Sequence, residues 1–342
     1  MGHAARRGGI RGRVPGVFAE AQPGRDDPPG RQPGGHPSGT GGAMKHILLA
    51  LAILATGCSV KRFTVNQLGT ALAGTGGAFA ADNDPELIRE AVPFSLKLME
   101  SLLAESPNHR GLLLASCRAF TQYSFAFVQQ DADELEATDL ARSRELKLRA
   151  RNLYLRARDY GLRGLETRYR HFTRDLRRDP VSTAQRVRRK DDVPLLYWTA
   201  ASWGAAISLS KNNPDLVADL NLVEALIDQA AALDPDYDAG AIHGFLINYE
   251  LARPGASRGA DERAKQHFDR AVALTGGQSA GPFVTYAEAV MVARQNRAEF
   301  EALLHKALAV DVNARPEWRL QNLVLQRRAR WLLSRKDELF AE

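Results

Sequence analysis

From Asp84 onward, apolar residues recur every three to four positions almost without interruption. One stripe runs Leu113, Cys117, Phe120, Ser124, Phe127, and another Leu222, Leu226, Ala230, Leu233. A third carries Ala264, Phe268, Ala271 and Leu274, and a fourth Phe300, Leu303, Ala307 and Val310. This is the period of helices that bury one face; strands would alternate, and no alternating run occurs. Asp84-Pro85-Glu86 and Asn213-Pro214-Asp215 read as helix starts, with a capping side chain ahead of a proline in the first turn. The pattern predicts an all-α fold of about a dozen helices over residues 84–342, a single domain without a sheet.

The helices echo one another. Ala-x-Ala-Leu-Asp at 230–234, Ala-x-Ala-Leu-Thr at 271–275 and Ala-x-Ala-Val-Asp at 307–311 each end one helix and precede the next, at spacings of 41 and 36 residues. Leu102–Asn108 makes a degenerate fourth copy. Alanine where two helices come close, followed by a turn, is the mark of tetratricopeptide-like hairpins. One such hairpin cannot bury its apolar face alone, so the copies must stack.

Leu195–Leu209, LLYWTAASWGAAISL, departs from the pattern: fifteen residues without a charge, apolar on every side and too short to span a bilayer. Ala200, Ala201, Gly204, Ala205 and Ala206 provide little bulk; Tyr197, Trp198 and Trp203 provide much. Two readings stay open. The segment is either a tightly packed central helix or the wall of a ligand cavity, where aromatic rings with a polar tip are at home. Tyr123, Phe125 and Phe127 form a second aromatic stripe with the same ambiguity. Tyr123, Phe127, Tyr197, Trp198, Ala201, Trp203 and Gly204 are the candidate ligand-lining residues.

The front of the chain differs in kind. Residues 1–43 hold 12 of the 28 glycines and 6 of the 16 prolines and cannot form a core. They are expected to be disordered, an extension ahead of a true start at Met44. Met44-Lys45-His46, the apolar run Ile47–Leu54 and then Ala55-Thr56-Gly57-Cys58 have the layout of a lipoprotein signal peptide over 44–57, with Cys58 the acylated residue. Residues 58–83 would then link the anchor to the domain. Ser59 after the anchor favours the periplasmic side of the outer membrane. With only two cysteines a disulfide scaffold is excluded, and Cys117 is expected alone in a core.

The net charge is +6, but much of it sits in the front segment, so a nucleic-acid binder is not indicated. One basic stretch remains: Arg163–Lys190 carries ten Lys/Arg against three acids. It is a solvated face, a contact for an acidic partner, or a contact for anionic headgroups. Catalytic chemistry is missing. His109, His171, His243, His267 and His305 fall in no metal-ligand spacing, and no nucleophile context appears. Gly74–Gly77 lacks the Lys-Ser/Thr of a phosphate loop. Asp191-Asp192 and Asp234/Asp236/Asp238 suit helix caps. No enzyme, metal or cofactor is expected.

Several strings carry a family resemblance: Asp84–Ala91, Leu102–Pro107, Leu195–Leu209 with Ser210–Asp215, Gly276-Gly277 through Tyr286-Ala287-Glu288, and Asn322–Leu333. Together they resemble the T component of tripartite ATP-independent periplasmic (TRAP) transporters, over nearly all of residues 58–342. The resemblance implies a helical periplasmic lipoprotein with cryptic tetratricopeptide-like repeats. It also implies docking to a solute-binding P subunit, a homotrimer, and a ligand-accessible cavity or pore in each protomer. The membrane would be met through the lipid anchor alone. On this reading the chain binds or passes a small, partly apolar ligand; the alternative is a tetratricopeptide-like scaffold for envelope proteins.

Overall fold

The computed structural model describes residues 67, 69, 70, 76–253 and 259–340. The expectations for residues 1–43, for the leader at 44–57 and for Cys58 lie outside them, as does most of 58–83. The described residues hold eleven α-helices of seven residues or more and no strand, so the all-α fold stands. They are α1 (Pro85–Glu105), α2 (Arg110–Tyr123), α3 (Leu140–Glu166), α4 (Phe172–Arg178), α5 (Val193–Ser208) and α6 (Leu220–Leu233). After these come α7 (Tyr237–Ala252), α8 (Ala260–Thr275), α9 (Ala280–Tyr286), α10 (Arg297–Leu308) and α11 (Arg319–Ser334). The caps follow from the side chains before each start. Asp84 accepts hydrogen bonds from the Glu86 and Leu87 amides at 3.1 and 3.0 Å, and Asn296 from the Glu299 amide at 3.1 Å. Each satisfies donors that a helix start leaves free.

Packing follows chain order. α1 lies on α2, α2 on α3, α3 on α5, α5 on α6, α7 on α8, α9 on α10 and α10 on α11. The order then closes, because α11 also packs against α1 and the short helix Gly76–Ala80. Three apolar cores result. One joins α3–α7 around Trp203, one joins α7–α11 around Phe300, and one joins α1–α3 around Phe120 and Tyr154. The closest approach is between α3 and α5: a Cβ on Gly161 would lie 2.1 Å from Thr199 Oγ1, so only glycine fits there. Cys117 sits against this contact, buried and free, and burial pushes its thiol up to about 12 despite hydrogen bonds from Ser202, Gly161 and Thr199.

The repeated alanines fall where helices meet. Ala230, Ala271 and Ala307 are all buried. The start of α7 explains why Ala271 cannot grow. Asp238, Ala239 and Gly240 take left-handed backbone angles, and a Cβ on Gly240, at φ 94°, would lie 3.3 Å from Ala271 Cα. Ala271→Glu and Ala307→Glu are therefore expected each to bury an unpaired carboxylate and cost about 3–5 kcal/mol. Urea titration of each variant checks this; unchanged midpoints in both would refute the repeat contacts.

The acid pairs at helix ends differ from the capping role expected of them. Asp192 precedes α5 but caps nothing with its side chain. Fully buried, it accepts from Arg110 on α2, from Arg168 beyond α3 and from the Tyr169 hydroxyl. Asp236 likewise faces Arg270 across α7 and α8, at 2.7 and 3.1 Å. The carboxylates are spent on ties between helices, because each lies opposite a guanidinium from a distant turn.

Candidate functional site

Helix α5 is largely enclosed, yet it is not buried all round. Leu195, Leu196, Trp198, Thr199, Ala200, Ser202, Trp203, Ala206 and Ile207 are buried. Tyr197, Ala201, Gly204 and Ala205 are only half-buried. Their spacing of four, three and one puts them on a single helical stripe. Three of the sequence-derived candidates, Tyr197, Ala201 and Gly204, thus share a face that the neighbouring helices leave partly open. Trp198 and Trp203 point elsewhere. Trp203 lies in the core between the guanidinium groups of Arg158 and Arg177, 4.9 and 5.8 Å from its ring.

The surroundings of the stripe are aromatic at one end. The Tyr197 ring meets Trp198 edge-on and Tyr237 at a tilt, with ring centroids 5.0 and 5.5 Å apart. Burial pushes the Tyr197 and Tyr237 phenols well up from their ordinary range, so both stay neutral donors. Arg118 of α2 lies close enough to Tyr237 to act on it electrostatically. This half-buried guanidinium meets no carboxylate among the described residues. Phe245 of α7 closes the other side: a Cβ on Gly204 would sit 3.4 Å from its ring, while a Cβ on the adjacent Gly244 would meet nothing within 4 Å. Two surface grooves lie away from the stripe. One of about 290 Å³ runs along α3, and one of about 520 Å³ lies between Pro180–Ala184 and α6.

Tyr123 and Phe127 belong to a different place, the seam where the packing order closes. Both are buried in the α1–α3 core, 5.7 Å apart between ring centroids. Residues Ser124–Gln129 after α2 and Ala287–Met291 after α9 form π-helical turns, an arrangement frequent at functional sites. Across the seam runs a network of charges. Arg89 pairs with Asp131 at 3.1 Å and lies 5.0 Å over the Phe127 ring. Arg327 joins Asp131, at 2.9 Å, to Glu134. Arg328, almost wholly buried, donates to Glu288 at 2.7 Å and to Asp133 at 3.1 Å, with Phe125 and Trp331 beside it. Burial pushes the Asp133 carboxyl up against the pull of Arg328. The structure therefore does not bring Tyr123 and Phe127 together with the α5 stripe, although Ala205 and Leu209 of that region touch the same core.

Sequence reasoning missed the seam and its helpers. Asn322 accepts from the Ala280 amide at 2.9 Å and donates to the Gln278 carbonyl at 3.0 Å, tying the start of α9. Gln326 donates to the Ala307, Leu308 and Val310 carbonyls and so closes the end of α10. The only signal was the string Asn322–Leu333 itself, whose polar residues recur on the face that should be apolar.

Helices packed in chain order, with α11 returning to α1, define an all-α protein among the described residues. A family model described as the TRAP transporter T-component matches residues 81–340, and the chain belongs to that family. It is a family of transporter accessories and not of enzymes, and membership sets the chain in the context of a TRAP system. An uncharacterized protein of Treponema pallidum (strain Nichols) is 31% identical over 323 residues, covering 87% of this chain and all of the relative. No helix among the described residues is long and apolar enough to cross a membrane.

Proposed function

We propose that the chain is the periplasmic, lipid-anchored T component of a TRAP transporter. It binds or passes a small, partly apolar ligand along the α5 stripe and docks the solute-binding P subunit. Family membership over residues 81–340 is the observation that carries this reading. Acylation at Cys58, the outer-membrane site and a homotrimer come with it, on the sequence grounds given above. The stripe suits the ligand role: Tyr197, Ala201 and Gly204 offer an apolar wall, the phenols offer neutral donors, and Arg118 offers a cation to an acidic group on the ligand.

Gly204→Leu tests the ligand role. The new side chain must displace the Phe245 ring into the open stripe, so the variant should stay folded and lose any co-purifying ligand. Native mass spectrometry of both proteins reads this directly. A ligand-free wild type, together with a loss of about 1–3 kcal/mol in the variant, would show ordinary overpacking and leave the scaffold reading.

A further inference from the structure

The basic stretch Arg163–Lys190 is unused by this reading, and its carboxylates can be accounted for one by one. Glu166 accepts from the Thr173 amide at 3.1 Å, and Asp179 caps the short helix Pro180–Ala184 through the Ser182 amide at 3.2 Å. Asp175 is shared by Arg174, at 2.9 and 3.0 Å, and Arg186, at 2.8 Å. Arg168 is held by Asp192, Arg177 by Asp219, Arg189 by Asp191 and Lys190 by Asp234. Arg163 is exposed and donates to the Pro107 carbonyl at 3.0 Å; Arg170, Arg178 and Arg188 are also exposed, with no carboxylate in ion-pairing reach among the described residues.

These three arginines lie on α4 and the turns that flank it. Arg186 donates to the Arg170 carbonyl at 3.0 Å, and the Arg188 backbone lies within hydrogen-bonding reach of the Tyr169 hydroxyl. Arg178 ends α4, one turn after Arg174. Phe172, Leu176 and Val187 pin the surface to the core, so it is a fixed feature of the fold. Val181, 58% exposed, stands beside it. The adjacent groove carries Glu224 and Asp228 and does not extend the patch.

We propose that the surface of α4 and its flanking turns is a contact for anionic phospholipid headgroups. Guanidinium groups bind phosphate in two-pronged fashion and lose less hydration than ammonium groups. The three arginines stand exposed, and neither of the two grooves described above is lined by them. A lipid surface offers phosphates at any spacing, and an exposed valine can enter its headgroup layer. The contact would orient the domain on a membrane, which a single point of attachment cannot do, and it does not depend on acylation of Cys58.

The test uses the full chain carrying Cys58→Ser, with and without Arg170→Gln, Arg178→Gln and Arg188→Gln together. Each is sedimented with vesicles of pure phosphatidylcholine or of phosphatidylcholine with phosphatidylglycerol. The apolar and basic front segments are common to both proteins, so the difference between them isolates the patch. The expected result is binding to the anionic vesicles that weakens with salt, and a partition coefficient on the order of a hundredfold lower in the triple variant. Unchanged circular dichroism and melting would show that the variant folds, as loss of three unpaired side chains requires. Equal binding by the two proteins would overturn the proposal. So would equal vesicle binding combined with loss of the P subunit by the variant, which would make the surface a protein-docking face. Failure of this experiment leaves the ligand reading of α5 untouched.

Discussion

Arg328→Leu is expected to cost the fold about 3–5 kcal/mol, one of the largest losses any single side chain can cause here. The guanidinium is almost wholly buried and answers two carboxylates from opposite sides of the seam, Asp133 and Glu288. Removing it leaves both acids facing each other without a cation. A double-mutant cycle separates this from lost packing. Adding Asp133→Asn to the Arg328→Leu variant should restore part of the stability, since it removes one of the stranded charges. Additive losses would show that the seam charges do not act together.

Asp192→Ala should cost a similar amount by a different route. Here one buried carboxylate holds Arg110, Arg168 and Tyr169, and so ties α2, the end of α3 and the start of α5. Burial alone would push its carboxyl up, but the hydrogen bonds from Tyr169 and Arg168 and the charge of Arg110 outweigh burial and hold it below the usual range. A carboxyl depressed in the folded state contributes stability above its unfolded pKa of about 3.9, and that contribution is lost as pH falls through the folded value. Wild type should therefore lose stability as pH falls from about 5 through the low carboxylate range, and Asp192→Ala should flatten that part of the curve. Urea midpoints at a series of pH values measure both; parallel curves would remove Asp192 from the account.

These two residues also mark the limit of reading the chain as a string. The helices were legible because their signals are local: the 3.6-residue period, Asp84 and Asn213 before proline, and alanines that return where helices cross. The charges were not. Asp192 reads as a cap from its neighbours, yet its partner Arg110 is 82 residues away. Arg328 and Asp133 are 195 apart. No local pattern records such a pairing; only the packing of distant segments creates it, α2 against α5 for Arg110 and Asp192 and α11 against the helix Gln130–Leu135 for Arg328 and Asp133. The π-helical turns escaped for a related reason, since one extra residue per turn leaves the apolar period of α2 and α9 almost unchanged.

The placement of the candidate residues was legible in part, and for a mixed reason. Tyr197, Ala201 and Gly204 share one stripe because their spacing is helical, and that much was in the sequence. Which stripe of an all-apolar helix stays half-open depends on what packs around it, here α2, α3, α6 and α7. Trp203 is claimed by the core because Arg158 and Arg177 cover its ring. Tyr123 and Phe127 lie in the α1–α3 core, with Arg89 of the seam over the Phe127 ring.

The central claim is that this chain works as the T component of a TRAP system, beside its solute-binding subunit. The most direct measurement is native mass spectrometry of the purified chain mixed with the solute-binding protein encoded alongside its permease. The account predicts a trimer of this chain carrying P subunits, with ligand mass retained on the wild type. A chain that stays alone in the mixture, binding neither the P subunit nor a small molecule, would contradict it.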